Sequence, residues 1–209
     1  MTLPRVAYLK NITRVGYTLV NEIYNLAPLY DADEPLAYDA SLGNGSVFVD
    51  YSDLPSGAVY FQINATNIPT VNLTGTANFT FTSSVSGETV RGGFFFGGDV
   101  PVWIDRGGAR GFDNPFLTDK FSTNNLIANG TWRMEGVIDR SILEIFLDGG
   151  ERSATNTFFP TQPLDTLLIS TGELNAGVEV SVAIYGLDCS WDPSARNTSY
   201  RQTSYSRYA

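Results

Sequence analysis

Carboxylates are the one class of side chain in this 209-residue sequence numerous enough for acid–base chemistry: 22 Asp and Glu stand against 13 Lys and Arg, with no His and one Cys. That composition excludes a His-based triad, an intrachain disulfide and any ordinary zinc or copper site built from Cys and His. Asp148 and Glu151 bracket Gly149-Gly150, where acidic residues are ordinary turn formers, and they read as hairpin residues rather than a catalytic pair. Asp31, Asp33 and Glu34 offer oxygen ligands to a hard cation but lack the spacing of a calcium loop. Asp105-Arg106 and Asp139-Arg140 read as charge pairs at turns, each modest if exposed. No catalytic residue, no metal ligand and no cofactor site is assigned. Cys189 reads as a small buried hydrophobe at a strand end, with an intermolecular bridge as the alternative.

A second chemistry is more strongly signalled. Asn-x-Ser/Thr acceptors for N-glycosylation occur at Asn11, Asn44, Asn64, Asn72, Asn78, Asn129 and Asn197. With 15 Asn, and Ser plus Thr at 37 of 209 positions, chance gives about three, so seven favour a glycosylated, secreted chain. Thr-rich β sequences also generate such triplets cheaply. Alternation places Asn64 opposite the apolar set Val59, Phe61, Ile63 and Ala65, and Asn78 opposite Ala77, Phe79 and Phe81. Asn44 and Asn129 adjoin glycines and read as loop sites. The opening residues lack the apolar h-region of a secretory signal.

The elements that must position these groups are strands. Aromatics at 13% and charged residues at 17% suit a β core, and no long segment shows helical apolar periodicity. Strands are expected near residues 46–50, 59–65, 77–83, 91–97, 100–105, 131–139, 142–147, 153–159, 167–171 and 178–187. In Gly92 to Gly98, Phe94 and Phe96 should enter one face and Phe95 the other. The fold class is all-β: a two-sheet antiparallel sandwich of the jelly-roll or lectin-like kind. Residues 1–42 are expected as an extended, irregular lead-in, 43–191 as the sandwich and 192–209 as a flexible tail. A net charge of −9 with no basic run before the tail argues against nucleic acid, and no apolar run approaches the ~18 residues of a membrane span.

The meander from Trp132 to Pro160 carries an AspArgSer turn at Asp139 to Ser141, a LeuGluIlePhe strand at Leu143 to Phe146 and an AspGly hairpin at Asp148-Gly149. Together these closely resemble the C-terminal β-sandwich module of glycoside hydrolase family 32, the invertase, inulinase and fructosyltransferase family. Val102 to Ser122 is similar to fungal members, and Leu3-Pro4-Arg5 is similar to the segment leading from the family's catalytic propeller into the sandwich. The family's catalytic motifs, AsnAspProAsn, ArgAspPro and GluCys, do not occur in this sequence, so the resemblance implies no catalytic residue here. It implies a partner, the family 32 catalytic propeller, and a secreted or cell-wall parent in which signal and propeller precede the sandwich.

The resulting expectation is a non-catalytic module that supports stability and oligomer contacts of a secreted β-fructofuranosidase. Ile142 and Phe146, on the outer side of their strand, are candidate contacts to a propeller or a second copy. The alternatives are an oligomerisation module, or a stand-alone carbohydrate-binding module whose sugar would stack on Tyr60, Trp103 or Trp132 if these face solvent.

Overall fold

The computed structural model describes residues 3–12, 15–97, 101–111, 116, 118–124, 127 and 129–188. Its strands are β1 (Arg5–Ile12), β2 (Gly16–Ile23), β3 (Ala37–Asp39), β4 (Ser46–Asp50), β5 (Ala58–Thr66), β6 (Thr76–Thr82) and β7 (Thr89–Phe95). They continue as β8 (Pro101–Asp105), β9 (Lys120–Asn124), β10 (Trp132–Asp139), β11 (Ile142–Leu147), β12 (Arg152–Thr157), β13 (Thr166–Gly172) and β14 (Glu179–Leu187). One 3-10 turn spans Ala27–Leu29. Twelve strands form two six-stranded sheets, ordered β12-β11-β10-β5-β14-β3 and β4-β13-β6-β7-β8-β9, while β1 and β2 make a separate hairpin. All pairings between these strands are antiparallel.

Period-two alternation accounts for the core. Phe61 and Ile63 of β5, Met134 and Ile138 of β10, Leu143 and Ile145 of β11, and Val180, Val182 and Ile184 of β14 point inward from the first sheet. Phe79 and Phe81 of β6, Val90 and Phe94 of β7, Ile104 of β8, and Leu167 and Ile169 of β13 meet them from the second. Trp132 stacks on Phe94 at 4.3 Å between centroids and meets Phe96 edge-on at 5.4 Å. Phe94 and Phe96 thus enter the core while Phe95 faces out, 42% exposed.

The stretch expected as irregular contains the β1–β2 hairpin and the short strand β3. Alternation did not reveal the hairpin because both its faces carry apolar residues in the open: Leu9, Tyr17 and Leu19 on one face are 70%, 77% and 54% exposed, and Val6 and Tyr8 on the other are 44% and 41% exposed. The hairpin lies against the turn joining β11 and β12, where the Asn21 N–H donates to the Gly150 carbonyl at 3.0 Å. Gly150 has φ +91, and a Cβ there would stand 2.2 Å from the Asn21 carbonyl oxygen, so the turn must be glycine for the hairpin to approach. Beyond β2 the chain crosses the outer face of the first sheet. Leu26 is buried there with Tyr60, Val137 and Leu187, and Leu3, Ile23, Tyr30 and Tyr185 pack around them. Cys189 and Trp191, expected at the end of the sandwich, and the expected tail 192–209 with Asn197 lie outside the described residues.

Candidate functional site

The outer face of the first sheet holds the densest polar chemistry, and the lead-in closes over part of it. On β11, Glu144 and Phe146 both point outward because they alternate with the core residues Leu143, Ile145 and Leu147. Glu144 is 1% exposed yet fully engaged. It accepts the Leu3 N–H at 3.0 Å, an Arg5 Nη2–H at 3.2 Å and the Thr155 hydroxyl at 3.1 Å. Arg5 also reaches Ser153 and Thr155 on β12, and its guanidinium carbon sits 4.9 Å from the Phe146 ring centroid. Phe146 is therefore fully buried by the chain's own first residues rather than left open, a correction to its reading as an uncovered face; Ile142 beside it is half-buried.

A second buried acid, Glu135 on β10, accepts hydrogen bonds from Tyr60 Oη, from Arg133 Nη2 at 2.7 Å and from Gln62 Nε2 at 3.4 Å. Burial, reinforced by the Glu135 charge, pushes the Tyr60 phenol well above its ordinary range, so it stays protonated as the donor. Tyr30 stacks on Tyr185 at 4.3 Å and extends this cluster toward Tyr60 at 6.2 Å.

The remaining buried acids are equally committed. Glu88 accepts the Thr161 N–H at 2.9 Å together with its hydroxyl, the Ser86 hydroxyl at 2.7 Å and the Arg110 N–H at 2.6 Å. The Thr161 hydroxyl first, then these other donors against the opposing effect of burial, holds the Glu88 carboxyl down at about 2. Asp105 is desolvated, but Arg91 at 3.0 Å, the Gly107 N–H at 3.0 Å and Lys120 at 3.5 Å outweigh that and keep its carboxyl below the usual range. The expected Asp105-Arg106 pair does not form: Arg106 instead donates to the carbonyls of Thr118 and Thr157, because successive residues at a strand end diverge. Asp148 receives the Arg133 N–H at 2.9 Å as a turn residue, and Glu151 pairs with Lys10 at 2.7 Å. Asp31, Asp33 and Glu34 are exposed, and among the described residues no group of three or more potential ligands is placed to hold a metal ion. Nor is any helix there long and apolar enough to cross a membrane. The buried acids thus act as structural anchors in separate networks.

Of the three aromatics considered for sugar stacking, Trp132 is 1% exposed in the core and Tyr60 is 4% exposed beneath Tyr30, so neither faces solvent. Trp132 faces inward at a sheet-to-sheet contact, and Tyr60 is covered by Leu26 and Tyr30 of the lead-in. Trp103 alone is half-buried on an outer face, that of the second sheet. Asn11, Asn44, Asn72 and Asn129 are exposed, and Asn64 and Asn78 are half-buried on outer faces. Asn64 and Asn129 line one cleft of about 460 Å³ with Lys10, Arg133, Asp148 and Glu151. A larger cavity of about 560 Å³, lined among others by Leu54, Pro55, Arg140, Phe159 and Pro163, went unread because its residues come from three separated stretches of chain. The Arg5–Glu144 contact also went unread. Both ends lie in segments singled out individually, but spacing alone does not link residues 139 positions apart.

The family model described as Glycosyl hydrolases family 32 C terminal matches residues 101–185. An extracellular exo-inulinase of Meyerozyma guilliermondii is 36% identical over 119 residues, 42% of this chain and 21% of that protein. An invertase of Kluyveromyces lactis is 30% identical over 118 residues, 50% of this chain and 19% of that protein. The chain accordingly spans about a fifth of the length of these curated relatives. In fold it is similar to an exo-inulinase from Aspergillus awamori, with a TM-score of 0.71 at 18% identity over 91% of this chain and 36% of that one. A β-fructofuranosidase from Schwanniomyces occidentalis gives 0.68 at 18% identity over 90% and 40%. The sandwich with its meander, the matched segment and these relatives converge: residues 101–185 match the C-terminal domain of glycoside hydrolase family 32, and the described chain shares the β-sandwich fold of the exo-inulinase and β-fructofuranosidase structures.

Proposed function

We propose that this chain is the non-catalytic sandwich of a secreted β-fructofuranosidase or exo-inulinase, and that it holds the segment joining it to the catalytic propeller. The observation that carries this reading is the grip on Leu3 and Arg5. The LeuProArg segment, similar to the family's propeller-to-sandwich connection, is clamped to the LeuGluIlePhe strand through Glu144 and Phe146. Acids committed to internal networks support the non-catalytic role, since a glycosidase needs two carboxyl groups free to meet one glycosidic bond. The extracellular exo-inulinase among the relatives supports secretion, as do six described acceptor asparagines, all exposed or half-buried.

The experiment is to purify the chain and incubate it with sucrose and with inulin, then to co-express it with a separate family 32 propeller. Fructose release should not exceed a blank, and the propeller should co-purify with the sandwich. Hydrolysis by the chain alone, or no association with any family propeller, overturns the reading.

A further inference from the structure

We propose that Asn78 carries an N-glycan whose first N-acetylglucosamine lies flat on the second sheet, over Gly93 and against the indole of Trp103. The proposal rests on the secretory reading above and goes beyond it by giving one glycan a seat in the fold.

Pairing registers run Ser170 opposite Asn78, Asn78 opposite Gly93, Gly93 opposite Trp103, and Trp103 opposite Ser122. Asn78 and Trp103 therefore stand two strand spacings apart, about 10 Å, with no side chain between them. The Asn78 carboxamide does not rise into solvent. It lies down over Gly93, where a Cβ would stand 2.2 Å from its Oδ1. Phe95, a diagonal neighbour, leans away, its Cζ 2.8 Å from where a Cβ of Gly97 would be. Arg91, the other diagonal neighbour, is drawn to Asp105 at 3.0 Å. What remains beside the Asn78 carboxamide is a stretch of sheet without a side chain at Gly93, leading to the half-buried Trp103. The apolar face of a pyranose ring and its acetyl methyl pack on such a surface, as Trp with its polar handle does at interfaces generally.

The acceptor triplet is Asn78-Phe79-Thr80. Asn78 Nδ2 attacks C1 of the sugar on a polyprenyl-diphosphate-linked oligosaccharide. The C1–N bond forms, the C1–O bond to phosphate breaks, the diphosphate leaves, and the amide nitrogen loses one proton. Modification during synthesis precedes strand pairing, so half-burial of Asn78 in the folded sheet is no obstacle.

The test is to secrete the chain from yeast, map occupancy by glycopeptide mass spectrometry and trim the glycans to one N-acetylglucosamine. Asn78 should be occupied, and nuclear Overhauser effects should connect its acetyl methyl to the Trp103 indole. Thr80→Ala in the secreted protein should lower Tm by about 2–4 °C beyond its effect in unglycosylated bacterial protein, and Trp103→Ala should erase that excess. Other acceptors occupied with Asn78 bare, or Asn78 occupied without the Overhauser contacts, overturns the seat while secretion stands. No acceptor occupied overturns both.

Discussion

Arg5 covers Phe146: the guanidinium carbon lies 4.9 Å from the ring centroid while the same group pairs with Glu144 at 3.2 Å. One side chain from the first residues thus neutralises a buried acid and caps a buried aromatic on a strand near residue 145. Replacing Arg5 by Ala leaves Glu144, 1% exposed, with a charge whose cationic partner is gone. Discounting the full cost of a broken buried pair because Arg5 remains 23% exposed, the loss should be about 2 kcal/mol. Urea unfolding of Arg5→Ala should show it, and Arg5→Ala with Glu144→Gln should recover part of it. Equal stability of Arg5→Ala and wild type would falsify the clamp.

Glu88 sets an acid limit. Its folded carboxyl titrates at about 2 against an ordinary 4.5, so the unfolded chain binds the proton more readily than the native one. The stabilisation is complete above about 4.5 and is lost as pH falls from there toward 2. Glu88→Gln should be less stable at neutral pH and should flatten the Tm-versus-pH curve across that window. An acid limb in the variant as steep as in wild type would remove Glu88 as its source.

The legible part of the fold was the part that obeys period two with one face buried. From Val59 to Ala65 and from Val178 to Ile184, burial on one face dictates both strand and facing. Strands without one consistently buried face left no such trace: all five residues of β9, Lys120–Asn124, are exposed, and the β1–β2 hairpin, though it buries Val20, shows apolar residues to solvent on both faces. The candidate site was legible only in halves. Alternation put Glu144 and Phe146 together on an outer face, but what covers them arrives from the other end of the sequence. Glu88 and Thr161, 73 residues apart, gave no signal either, because a buried acid on a strand end looks like any surface Glu until its donors are known.

Gly136 on β10 is needed for contact rather than for backbone freedom. A Cβ there would stand 2.3 Å from Phe61 Cε1 and 2.8 Å from Ile145 Cδ1, because the Phe61 ring of the neighbouring strand lies across it. Gly136→Ala should cost about 1–3 kcal/mol by overpacking. Phe61→Leu should be destabilising alone yet nearly additive-free with Gly136→Ala, since the shorter side chain opens the space. A double-mutant cycle giving strict additivity would show that the ring and the added methyl do not meet.

Leu9 and Leu19 face each other across the hairpin, 70% and 54% exposed, with Tyr17 beside them at 77%. A contiguous apolar row on an otherwise strongly acidic chain calls for a cover. In the parent enzyme that cover is proposed to be the propeller, and in bacterially made chain it is missing. Light scattering should then show mass rising with concentration, and Leu9→Lys with Leu19→Lys should restore a monomer. Because both side chains already stand in water, the double variant should leave Tm within about 2 °C of wild type. A monomeric wild type at high concentration, or a double variant that unfolds, would place these leucines in the stability of the hairpin instead of on a contact surface.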